Sequence, residues 1–186
     1  MKNALIIHGV CDEEEYFNEK YPSLSNSHWF PWLQKQLLIK NIFTQTPEML
    51  EPWKLDYSKW KEVFEKFDVN ENSILIGHSC GAGFLVRWLS ENKKYIDKLI
   101  LVAPWIDPNQ KWSKDFFNFD IDLGMTDRVN IIHILFSKDD DQDILKSFEI
   151  INKVLINAKI HEFKDKGHFT LEDMKTDKFP ELLELI

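Results

Sequence analysis

Glycine is scarce in this chain, at 6 of 186 residues. That excludes Gly-rich linkers and low-complexity repeats. It also makes the position of each glycine informative, because few have been spent. Cysteine is scarcer still. Cys11 and Cys80 offer neither a disulfide framework nor metal-ligand spacing, as expected of a protein in a reducing compartment, with no metal and no cofactor. Basic runs are missing too. With Lys+Arg 23 against Asp+Glu 31, the net charge is −8, so nucleic acid and anionic membrane are poor partners. No long apolar run occurs. The opening stretch Ala4-Leu5-Ile6-Ile7 precedes His8-Gly9 and is too short for a signal-peptide core or a membrane span, so the expected location is cytoplasmic. No repeat or linker divides the chain, and residues 1–186 read as one domain with a sizeable core.

What is present is alternation. Strand-length apolar runs recur at Ala4–Ile7, Ile74–Ile76, Leu99–Val102, Ile131–Phe136 and Lys159–Phe163, with a weaker candidate at Asn41–Thr44. Stretches of helical period lie between and after them, at Trp29–Ile39, Tyr57–Phe67, Ala82–Glu91, Ile144–Ile156 and Phe179–Ile186. Strands alternating with helices predict an α/β fold: a mostly parallel sheet of about six strands with helices on both faces. The polar and aromatic stretch Lys111–Asp127 reads as an irregular excursion over the carboxyl ends of the strands, where ligands bind in such sheets. The acidic run Asp12–Glu15 reads as a solvated loop, and Asp143 as the N-cap of the helix after it.

Gly77-His78-Ser79-Cys80-Gly81 lies between the strand Ser73–Ile76 and the helix beginning at Ala82. A G-x-S-x-G turn in that context is the nucleophile elbow of an α/β-hydrolase. Its serine is held in strained backbone with the hydroxyl exposed, and the flanking glycines let strand and helix approach. A serine hydroxyl needs a base, and in this fold the order along the chain is Ser, acid, His. His161 and His168 lie beyond the acidic cluster Asp139–Asp143. His161 is fixed within a strand, whereas His168 follows Lys164-Asp165-Lys166-Gly167 just past the strand's end, so His168 is the expected base. The acid follows the strand ending at Phe136, and spacing does not separate Asp139 from Asp140. Two backbone N–H groups are needed for an oxyanion hole. Cys80 supplies one at a helix N-terminus, and Val10, after His8-Gly9, the other. Five of the six glycines, Gly9, Gly77, Gly81, Gly83 and Gly167, fall within these motifs.

In order, Leu5-Ile6-Ile7-His8-Gly9, His28-Trp29-Phe30-Pro31-Trp32-Leu33, Ile76-Gly77-His78-Ser79-Cys80-Gly81-Ala82, Ser137-Lys138-Asp139-Asp140 and Gly167-His168-Phe169 span nearly the whole chain. Together they resemble the small α/β-hydrolase-fold serine hydrolases of the YdeN and retinoblastoma-binding-protein-nine type. The resemblance implies a Ser-His-Asp triad with no cofactor or metal. It also implies that the second aspartate of Ser-x-Asp-Asp is the acid, here Asp140, with Asp139 the fallback. This chain departs from the family where a proline would follow that motif, and where Val10–Ser27 is longer and more acidic than the family's turn.

The expected activity is that of an esterase-like serine hydrolase acting on small acyl compounds through an acyl-enzyme on Ser79. The rival from another class is an interaction module with a vestigial elbow. A cysteine nucleophile, Cys80 or Cys11 with His78 or His8 as base, is disfavoured because i,i+2 side chains on extended backbone point apart. Trp29, Trp32, Trp105 and Trp112 are candidates to wall an apolar acyl pocket, with Trp32 the one expected to pack the core instead.

Overall fold

The computed structural model describes residues 2–113 and 115–186. β1 (Asn3–Ile7), β2 (Phe43–Gln45), β3 (Ser73–His78), β4 (Ile96–Val102), β5 (Val129–Ser137) and β6 (Lys159–Phe163) form one sheet in the order β2-β1-β3-β4-β5-β6. Every adjacent pair is parallel. The central strand β3 is buried along its whole length, as a strand covered on both faces must be. The helices are α1 (Glu13–Phe17), α2 (Phe30–Ile39), α3 (Tyr57–Phe64), α4 (Cys80–Asn92), α5 (Met125–Arg128), α6 (Gln142–Val154), α7 (Leu171–Met174) and α8 (Pro180–Leu183).

From β1 the chain steps outward to β2 and then crosses back to β3 on the other side of β1. Parallel crossovers are right-handed, so α2 lies on one face of the sheet while α3 and α4 lie on the other. The reversal makes a topological switch point between β1 and β3, where the loops beyond the carboxyl ends diverge and leave a crevice. His8-Gly9 leaves β1 there, and Ser79 leaves β3.

Local sequence accounts for the helix boundaries. Asp56 caps α3 by accepting from Ser58 N and Lys59 N, at 3.0 and 3.3 Å. At α6 the cap position is Asp141, and Asp143 sits inside the first turn, where its carboxylate meets Asn109, Lys111 and Lys146. The expectation that Asp143 caps α6 is therefore corrected. The run Asp12–Glu15 is likewise no loop: Asp12 accepts from Glu15 N at 2.7 Å and starts α1.

None of the described residues of the Lys111–Asp127 excursion lines the cavity that Ser79 lines. Phe116 is fully buried and packs edge-on against Trp60 at 5.1 Å and against Tyr57 at 5.9 Å, on the α3 side. Arg87 of α4 donates to the Phe116 carbonyl at 2.9 Å. Burial of aromatic surface packs Phe116 and Phe117 onto α3, α4 and Trp105.

β5 and β6 bring two histidines face to face. His133 Nδ1 and His161 Nε2 are 2.9 Å apart. His161 is thus committed to the sheet rather than to Ser79. Burial, with His161, Lys159 and Lys98 nearby, pushes the His133 imidazole down to about 4. Burial also lowers the buried His8 and His78. A histidine with a folded-state value below its ordinary one lets the unfolded chain bind more protons between the two. Its stabilisation is therefore complete above about pH 6.5 and is lost as pH falls toward 4. The melting temperature, followed by circular dichroism, is expected to drop by about 5 °C or more between about pH 7 and pH 5.

Candidate active site

The Ser73–Ile76 run drives β3 into the core and delivers Ser79 to the switch point. Ser79 has φ 55° and ψ −123°, a conformation that costs a non-glycine residue about 1–3 kcal/mol. It is held there by main-chain bonds. Its N–H donates to Val102 O at 2.9 Å, and its carbonyl accepts from Ala82 N, Gly83 N and Trp105 N at 3.0 to 3.3 Å. The glycines around it answer to contact. A Cβ at Gly81 would collide with the carbonyls of Ile7 and His8, and one at Gly9 would stand 3.0 Å from the Ser79 Cβ.

Asp140 and His168 meet. His168 Nδ1 is 3.1 and 3.0 Å from the two carboxylate oxygens of Asp140, whose side chain is only 2% exposed. The neighbouring aspartate does something else. Asp139 accepts from the Ser137 hydroxyl and, at 3.1 Å, from Gly167 N. These bonds hold its carboxyl below the usual carboxylate range, and they anchor the loop just before His168. Asp140 thus faces the imidazole and Asp139 faces the backbone.

Ser79 and His168 line one cavity of about 620 Å³, and no hydrogen bond joins the two among the described residues. Val10 lines it as well, while Cys80 is fully buried at the first position of α4. Neither the Cys80 nor the Val10 N–H donates to another main-chain group among the described residues. The Gly9–Val10 peptide is fixed from behind. Met49 N donates to His8 Nε2 at 2.8 Å, so the proton of this neutral ring is on Nδ1, which donates to Gly9 O at 2.7 Å. The carbonyl and the Val10 N–H belong to the same peptide plane, so His8 sets the direction of both.

Burial pushes Cys80 well above the usual thiol range, and burial with Glu15, Asp12 and Glu48 pushes Cys11 up to about 12. Without thiolate there is no cysteine nucleophile. Among the described residues, no group of three or more His, Cys, Asp or Glu is arranged to hold a metal ion.

Of the four tryptophans considered for the pocket, Trp32 alone lines this cavity, and it also packs against the core as expected. Trp29 is fully buried, Trp105 stacks edge-on against Phe117 at 5.3 Å, and Trp112 is 71% exposed. The cavity wall comes instead from the segment Glu15–Trp32 and from Thr170–Asp177. Sequence reading gave His28 no role and named His78 only as the base of a disfavoured cysteine nucleophile, whereas His78 touches the His168 loop and His28 the start of α7 just beyond it. Their place in the motifs His-Trp-Phe-Pro-Trp and Gly-His-Ser was the available signal.

The chain is 27% identical over 197 residues to YdeN of Bacillus subtilis, covering 100% of this chain and 94% of that protein. It is 27% identical over 167 residues to the serine hydrolase RBBP9 of Rattus norvegicus, covering 85% and 84%. The crystal structure of the ydeN gene product matches with a TM-score of 0.83 at 23% identity, over 100% of this chain and 96% of that one, so the two share the fold. No helix among the described residues is long and apolar enough to cross a membrane. The family model described as serine hydrolase matches residues 20–186, and the chain belongs to that family.

Proposed function

We propose that this serine hydrolase cleaves small carboxylic esters through an acyl-enzyme on Ser79, with His168 as general base and Asp140 as the acid that orients it. The observation that carries the reading is the paired contact of Asp140 with His168 Nδ1, at 3.0 and 3.1 Å, on the wall of the cavity that Ser79 also lines. That contact puts the Nδ1 proton toward the carboxylate and leaves Nε2 free as a base. In unliganded sites the serine–histidine bond is often long and tightens with substrate.

Ser79 Oγ attacks the acyl carbon as its proton passes to His168 Nε2, and Asp140 stabilises the imidazolium. The carbonyl oxygen becomes an oxyanion, received by the N–H groups of Cys80 and Val10. Each such donor contributes about 3 kcal/mol to the transition state. The imidazolium then returns its proton to the departing alcohol. Water, deprotonated by the same imidazole, releases the acid and restores Ser79.

The cavity bears on substrate choice. Its charged lining groups are Glu15, Glu172 and Asp177, with no lysine or arginine among the described residues that line it. Burial, with Asp12 and Glu172 nearby, pushes the Glu15 carboxyl up, a sign of crowded negative charge. Neutral acyl groups fit this wall and carboxylate-bearing ones are repelled.

Wild-type protein is expected to react with a fluorophosphonate and to hydrolyse a chain-length series of nitrophenyl esters, while Ser79→Ala does neither. Folded wild type that fails both would point to a binding module instead. Steady-state kinetics should separate the aspartates. Asp140→Asn lowers kcat by about 10³- to 10⁴-fold. Asp139→Asn stays within about tenfold, the scale of one ordinary hydrogen bond. For charge selection, the Glu15→Gln/Glu172→Gln pair should improve kcat/KM for nitrophenyl hemisuccinate relative to nitrophenyl butyrate by about 5-fold or more, on the scale of about 1 kcal/mol for near-surface charges.

A further inference from the structure

The loop that carries His168 belongs to no strand or helix, yet its main chain is held by side chains on either side. His168 N donates to Asp173 Oδ2 at 2.8 Å. Just beyond the loop, the N–H of Leu171, the first residue of α7, donates to His28 Nδ1 at 3.1 Å. Phe169, in left-handed backbone at φ 57°, is fully buried. The remaining handle is the His168 carbonyl, which lies 2.7 Å from His78 Nε2. A carbonyl only accepts, so His78 carries its proton on Nε2 and donates.

This bond is unusual in what it joins. His78 precedes Ser79 in the chain, so its ring links the strained serine turn directly to the backbone of the residue whose imidazole must meet the serine hydroxyl. Among the described residues it is the one hydrogen bond between residues 77–81 and residues 164–170. The His78 ring is 2% exposed and packed edge-on by Trp29, Phe30 and His28, at centroid distances of 6.1, 5.9 and 5.7 Å. Its rotamer is therefore set by packing, and the donor it presents is stiff. Burial, with His168 and His28 nearby, keeps the ring neutral by lowering it well below the usual histidine range. It therefore adds no lasting positive charge beside a base that must itself accept a proton.

We propose that His78 is a positioning residue: by holding the His168 carbonyl, it fixes the distance and angle at which the imidazole addresses Ser79. The inference rests on the catalytic reading of Ser79 and His168 given above. Asp140 fixes the far side of the imidazole and Asp173 the loop N–H. Asp139 and Ser137 hold the Gly167 and Lys166 N–H groups before it, so His78 is the hold on the carbonyl side of His168. Without it the His168 peptide can turn, and displacements near 1 Å at a reacting pair cost about 100-fold in rate.

The test compares His78→Leu, which fills the apolar pocket without a donor, with His78→Gln, whose amide N–H reaches the same carbonyl. The readouts are nitrophenyl ester kinetics and the downfield proton NMR signal of the His168 Nδ1–H shared with Asp140. Leucine is expected to lower kcat by about 10- to 100-fold with KM changed less than about twofold, and to broaden the Nδ1 proton signal. Glutamine is expected to recover most of the rate and the sharp signal. Folded His78→Leu with wild-type kcat and an unaltered signal overturns the proposal. If the leucine variant does not fold, His78→Asn serves in its place. Its side chain is too short to reach the carbonyl, so equal rates and signals for the asparagine and glutamine variants overturn the proposal as well. Wild type that neither hydrolyses esters nor reacts with a fluorophosphonate would refute the catalytic reading alone, because the NMR comparison still reports whether His78 holds the loop.

Discussion

The main chain leaving β1 and the main chain leaving β3 run so close together that no Cβ fits between them. At Gly81 a methyl group would overlap the carbonyls of Ile7 and His8, and at Gly9 it would crowd the Ser79 side chain. Parallel strands alone do not bring loops this near, since neighbouring strands stand about 4.8 Å apart and side chains fill the space beyond. The close approach at the switch point puts Gly9 beside the Ser79 side chain, and α4 begins at the very next residue, Cys80. The strained conformation of Ser79 follows from the same constraint. A chain turning from strand to helix within one residue, against a backbone already in contact, has few other dihedral choices.

Around this contact the remaining groups are oriented by hydrogen bonds that range from buried, at His8, to exposed, at Asp139, and the buried ones are the stronger and the costlier to leave unmade. His8 works behind the Gly9–Val10 peptide, Asp140 behind the His168 ring and Asp139 behind the loop that delivers it. Histidine does this well when neutral, because one ring nitrogen donates while the other accepts. In His8 both roles are visible at once. Acidification removes the acceptor, so the native state at this site is tied to the uncharged form of its supporting rings.

Much of this was legible in the chain. The six-stranded parallel sheet and its long helices followed from strands and helices alternating in sequence, because hydrophobic periodicity reports directly on which faces are buried. Even the short β2 was marked by Asn41–Thr44. The Ser79 turn was legible because glycine at fixed offsets has a steric cause. Asp139 and Asp140 were not separable from spacing, since a one-residue difference in a loop is decided by tertiary hydrogen bonds rather than by period. The misread segments share a cause. Asp12–Glu15 is polar but capped, Trp32 packs on the core and yet also lines a cavity, and Phe116 in the 111–127 excursion is buried against α3. Composition describes what such segments are made of, and only the packing partner determines where they go.

The cavity wall contributed by Glu15–Trp32 lies between β1 and β2, outside the sheet, and the short edge strand β2 follows it. The nucleophile turn and its supports are built from β1, β3 and the two late loops. One stretch of the wall, Glu15–Trp32, is thus encoded apart from the serine turn, while the other, Thr170–Asp177, adjoins His168. A population of homologues could diversify the first stretch by insertion or charge reversal while the reactive framework stayed unaltered, so that new specificities would arise without a fresh cost in foldability.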